Sequence, residues 1–186
     1  ENFNDSQIEK AFQYKQFSTM SDQLCMALAT EKLKLSDVPV VNAYLQKEFN
    51  EYDAIRATRM NIDQQALVES LLKLQLAPSH AVRIIDLKPA QQEKAITAAQ
   101  QNFAGAICIA IAKGKLDEEQ QKTARAFQSI GIKPQIILHF LREYEVDDFP
   151  VITKAKKAGL EDDAIEDALC AGTNVLENSI QNYLKS

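Results

Sequence analysis

Apolar residues recur along this chain at three- and four-residue steps, the spacing that puts them on one face of a helix. Asn4, Asp5 or Ser6 caps a first helix that carries Ile8, Ala11, Phe12 and the stem of Lys15. After a polar break at Ser18–Asp22, Leu24, Cys25, Leu28 and Ala29 form a second stripe. Ser36-Asp37 and Pro39 start a third helix, whose Val41, Tyr44, Leu45, Phe49 and Tyr52 carry it to about Arg59. Asn61–Asp63 opens a fourth, with Leu67, Leu71, Leu72 and Leu74, and Pro78 opens a fifth through Val82, Ile84, Ile85 and Leu87.

Lys88-Pro89 then starts the longest predicted helix. Its second half is Phe103–Ala112, the one stretch that is apolar without interruption, and Gly114 ends it. That stretch falls short of the roughly 20 apolar residues needed to span a bilayer. It predicts a buried central helix on which the others pack. Asp117 caps the next helix, Gly131 stops it, and Pro134 starts one bearing Ile137, Leu138, Leu141 and Tyr144. Pro150 restarts the chain through Ile152 and Ala155 to Gly159, and Asp162 or Asp163 caps a last helix running to Leu184.

The expected fold is therefore all-α: an irregular multi-helix bundle of nine or ten short helices around a buried central helix, in one domain over residues 1–186. A subdivision into an N-terminal subdomain, 1–60, packed on a helical core, 61–186, fits the same pattern. The alternative is an α-solenoid-like array of helical hairpins. It rests on three similar junctions, Leu74-Gln-Leu76-Ala-Pro78, Ile130-Gly-Ile132-Lys-Pro134 and Ala158-Gly-Leu160-Glu-Asp162, each burying a Leu or Ile before a fresh helix.

Composition supports helices over sheet: aromatics are 7%, Trp is absent, and only five Gly and five Pro punctuate the chain. A net charge of −5 argues against nonspecific binding to nucleic acid or anionic membranes. Cys25, Cys108 and Cys170 form no CxxC and fall on apolar stripes, which predicts buried thiols. The chain starts at Glu1 and not Met, which leaves localisation open.

Candidate chemistry is sparse. Asp162 and Asp163 lie one helical turn before Glu166 and Asp167, so these carboxylates share a face that could hold Mg²⁺ or Ca²⁺. The spacing is similar to the aspartate-rich motifs of isoprenoid-processing enzymes, without a second motif. Acidic residues in a first turn also serve the helix dipole, and that explanation suffices here. Ala112–Gln120 resembles the turn of the tellurite-resistance TerB family, in which an Ala-Asp-Gly turn joins an apolar helix to an acidic helix start. Two acidic positions of that pattern are Lys113 and Gln120 here, so the family's metal role does not carry over.

His80 is placed on the surface at a helix start, and His139 beside a core stripe, without an HxxxH or HExxH partner set. Lys154, Lys156 and Lys157 precede Glu161-Asp-Asp163, an acidic helix start that phosphate would repel, so DNA recognition is not expected. No catalytic residue, cofactor or metal ligand is assigned. The expected function is a non-enzymatic protein–protein interaction domain presenting a groove between helices to a protein partner or a second copy. The alternative is a metal- or small-ligand-binding protein using the acidic C-terminal third.

Overall fold

The computed structural model describes residues 3–16 and 20–185. Among the described residues the chain is all-helical, with no strand, and divides into two compact units, Glu1–Gln92 and Glu93–Ser186. The first contains α1 (Asp5–Gln16), α2 (Asp22–Ala29), α3 (Val38–Leu45), α4 (Glu51–Thr58), α5 (Ile62–Lys73) and α6 (Pro78–Ile85). The boundary falls within α7 (Pro89–Gln100). The second unit continues with α8 (Gly105–Ala112), α9 (Glu118–Ser129), α10 (Pro134–Glu143), α11 (Phe149–Lys157), α12 (Asp162–Cys170) and α13 (Thr173–Tyr183).

Among the described residues there are thirteen α-helices where nine or ten are expected, because three predicted long helices are each broken once. The helix predicted over 38–59 stops at Glu48, whose φ of 65° is left-handed, and Asn50 caps a new start by accepting from the Asp53 N–H at 2.9 Å. The predicted central helix breaks at Asn102, φ 63°, so the apolar run is a separate two-turn helix, α8. The last helix breaks at Gly172, φ 118°. The cap at the start of α1 is as expected: Asn4 Oδ1 accepts from the Gln7 N–H at 2.9 Å, and Gln7 Oε1 from the Asn4 N–H at 3.1 Å. Of the predicted break at Ser18–Asp22, residues 18 and 19 lie outside the described residues, while Ser21 caps α2 by accepting from the Leu24 N–H at 3.1 Å.

One junction recurs. Glu48, Gln75, Asn102, Gly131 and Gly159 all have positive φ, and each is followed by a buried apolar residue: Phe49, Leu76, Phe103, Ile132 and Leu160. In each case the left-handed residue's N–H bonds a carbonyl three residues back. The next N–H reaches five residues back, as from Ile132 to Phe127 O at 3.1 Å and from Phe103 to Ala98 O at 3.1 Å. This is the Schellman closure, which satisfies the last carbonyls of one helix and tucks an apolar side chain beneath it.

A short helix begins two residues after each of those apolar residues, and its fourth residue is fully buried: Ala54, Ala81, Cys108, Ile137 and Ile165. A paired glutamine marks the following helix in three successive hairpins, Gln64-Gln65, Gln91-Gln92 and Gln120-Gln121, spaced 27 and 29 residues apart. The first glutamine of each pair accepts from the backbone N–H three residues earlier, those of Asn61, Lys88 and Asp117. The second donates to the carbonyl five residues earlier: Gln65 to Met60 at 2.9 Å, Gln92 to Leu87 at 3.0 Å and Gln121 to Leu116 at 3.1 Å. Each hairpin is thus clasped at its bend by the same side chain.

Packing follows chain order within each unit. α1 lies on α2, α2 on α4, α4 on α6, α3 on α4 and α5 on α6. In the second unit α8 and α9 pack on α10, and α11 on both α12 and α13. Phe127 stands edge-on to Phe140 and Phe149, with centroids 6.2 and 5.5 Å apart, at the centre of that unit's core.

Candidate protein-binding groove

α2 and α4 run side by side in the first unit, and their starts are tied together: the Ser21 hydroxyl donates to the Glu51 carboxylate. Cys25, Leu28 and Ala29 of α2 and Ala54 and Ala57 of α4 face the core. That inward set leaves Met26 of α2 and Thr30 at its end, with Tyr52, Ile55 and Arg56 of α4 and Arg59 at its end, along a solvent-open groove of about 460 Å³ floored by Ala27. Tyr52 is 66% exposed, and Phe3 stands at the edge at 40%. A second apolar cleft of about 260 Å³ lies between α1 and α2, where Ile8 and Phe12 meet the other side of Met26. Phe12 is 65% exposed. Met26 and Asp22 belong to both depressions, so the apolar track continues from one to the other.

The charges around the track are unequal. Asp22 is paired with Lys15 at 3.0 Å, Glu51 receives the Ser21 hydroxyl, and Asp86 at the end of α6 is paired with Arg56. Asp53 is buried and accepts from Asn50 Nδ2 at 2.6 Å. Arg59 is exposed on the groove wall, and its guanidinium has no ion-pair or hydrogen-bond partner among the described residues.

The acidic C-terminal third is arranged differently. Asp162 is 1% exposed; its Oδ2 accepts from the Lys133 N–H at 2.8 Å. Its Oδ1 makes no well-aligned hydrogen bond, but the Lys156 ammonium stands 2.7 Å away and supplies the counter-charge. Asp163 points outward, 3.9 Å from Lys133 Nζ, and Glu166 meets His139 Nε2 at 3.2 Å. Asp148 accepts from the Thr173 hydroxyl at 2.9 Å. Asp162, Asp163 and Glu166 thus turn to different partners, and among the described residues no group of three or more His, Cys, Asp or Glu converges as a metal site would require. Lys156 of the basic triplet is committed to Asp162.

The histidines and thiols depart in part from expectation. His80 is half-buried instead of on the surface, and burial, with the Arg83 charge adding, lowers its pKa. His139 also approaches Arg142 and stacks edge-on to Tyr144. Cys25 and Cys108 are buried as predicted, but Cys170 is exposed, because α12 ends there. Its sulfur lies 3.6 Å from the Tyr144 hydroxyl. Burial above all, and then the hydrogen bond and charge of Cys170, push Tyr144 up to about 12.

The groove residues were visible in the sequence only as parts of other features. The sequence pattern places Tyr52 on the inner stripe of a long third helix; the break at Glu48 rotates it outward. Arg56 and Arg59 are basic residues of the same stretch, but nothing in their spacing links them to Met26. No helix among the described residues is long and apolar enough to cross a membrane. Comparison with known protein families, with curated proteins and with solved structures finds no match to this chain.

Proposed function

We propose that this chain is a non-enzymatic protein-interaction scaffold built of tandem helical hairpins in the α-solenoid manner, and that the α2–α4 groove receives a segment of a partner protein. The repeated Schellman junction and glutamine clasp support the hairpin array, since equal local devices at a near-constant period make each hairpin an equivalent unit. One observation carries the binding role: exposed Tyr52, Phe12 and Phe3 border an open apolar track that runs through Met26. Aromatic and methionine side chains supply large contact area at low conformational cost and are enriched where proteins meet. A cation site in the acidic third has less support, because Asp162 and Glu166 already have cationic or histidine partners.

Site-specific photo-crosslinking in the native source tests the role. A photoreactive phenylalanine at position 52 is expected to form a discrete adduct with another polypeptide, lost on adding Ile55→Asp. The same probe at exposed Lys122, on α9, is expected to form none. Equal labelling at both positions, or none at position 52, overturns it.

A further inference from the structure

Resting on that groove, we infer that its occupant is an amphipathic helix of a partner protein that sets an acidic side chain against Arg59. Three observations converge. Of the charged residues lining the groove, Asp22 is paired with Lys15 and Arg56 with Asp86, whereas the Arg59 guanidinium has no partner among the described residues. The unmet charge of the wall is therefore positive, in a chain whose net charge is −5. A carboxylate placed there gains a charge-assisted hydrogen bond at the edge of an apolar surface.

The shape selects an elongated occupant. The apolar surface passes from Phe12 across Met26 to Ile55 and Tyr52, bridging two depressions that no compact small acid would cover together. The walls are helices whose backbone groups are internally bonded, so the groove has no strand edge to pair with an extended peptide. An occupant must satisfy its own backbone, and an amphipathic helix does so while laying one apolar stripe into the groove.

The test uses two synthetic helices of about five turns with one Leu and Trp stripe in common. One carries Glu on its flanks and the other Lys. This chain has no Trp, so peptide Trp fluorescence and anisotropy report binding without background. The Glu peptide is expected to bind roughly tenfold or more tightly than the Lys peptide. Arg59→Glu, at an exposed position where folding is checked by circular dichroism, is expected to reverse that order. Arg59→Gln is expected to level it, and Ile55→Asp to abolish both. A wild-type chain that prefers the Lys peptide, or a preference unmoved by Arg59→Glu, overturns the inference. So does binding to phosphatidylserine vesicles without binding to the Glu peptide, which would make the track a membrane-facing surface. Failure of both peptides with a clear adduct at position 52 overturns the partner class alone; failure of both peptides with no adduct overturns the groove as well.

Discussion

Asp162 and Cys108 are buried residues whose chemistry is set by what each one faces. Asp162 joins three elements: it begins α12, accepts from the Lys133 N–H ahead of α10, and pairs with Lys156 of α11. Removing one partner of a buried pair strands the other charge. Asp162→Ala is therefore expected to cost about 3 kcal/mol in urea unfolding. Replacing the pair together, Asp162→Leu with Lys156→Met, is expected to recover most of that loss, since the desolvation penalty goes with it. A single variant as stable as the parent would show that the pair contributes nothing.

Cys108 donates its S–H to Phe103 O at 3.1 Å, and burial pushes its pKa from 9.0 up to about 12. The unfolded chain releases this proton near pH 9, while the folded chain keeps it until about 12, so in that window the unfolded state binds fewer protons and stability falls as pH rises. Tyr144, raised from 10.0 to about 12, adds to the same alkaline loss. Cys108→Ala is expected to flatten the decline in urea midpoint between about pH 9 and 11. An unchanged slope would show that this thiol does not set it.

At the scale of the element, the junctions decide the fold more than the helices do. Helical stripes were legible, and so were the caps at Asn4, Asn61 and Asp117 and the prolines at 39, 78, 89, 134 and 150. The breaks at Glu48 and Asn102 were not, because neither residue is glycine. Left-handed backbone at a non-glycine residue is held by the Schellman bonds and the buried Phe that follows, an effect of packing and not of local propensity. The glutamine pairs were plain in the sequence, but without a structure a Gln in a first turn reads only as a polar surface residue.

Adding and removing glycine at equivalent junctions are expected to have opposite effects. Gln75→Gly, relieving a φ of 61°, is expected to raise stability by roughly 1 kcal/mol, and Gly131→Ala, at φ 83°, to lower it by about as much. Gly159→Ala is expected to cost more, because its Cβ would stand 3.2 Å from the Tyr183 ring. Thermal melts of the three variants check the order; a destabilised Gln75→Gly would contradict the strain at that turn.

At the scale of the whole molecule, composition and periodicity carried the all-α class, and three of the five junctions, those at Gln75, Gly131 and Gly159, were legible as similar, while those at Glu48 and Asn102 were hidden because the signature is spread over residues of unlike chemistry. Phe49, Leu76, Phe103, Ile132 and Leu160 hold equivalent places and share only size and apolarity. The buried fourth positions range from Ala54 to Ile137. The run Phe103–Ala112, conspicuous in sequence, is one short helix of that series, and its Ile107 and Cys108 are fully buried. The groove arises where α2 and α4 turn unequal faces inward, leaving Met26, Tyr52 and Ile55 outside, an outcome fixed by packing within the first unit.

Hydrogen exchange on the full chain, with and without the polypeptide captured at position 52, tests the central claim most directly. Slowed exchange is expected to concentrate in Asp22–Ala29 and Glu51–Thr58, with the amides of α10 and α12 unchanged. Protection centred on the acidic stretch around Asp162, or spread evenly over the chain, would contradict it.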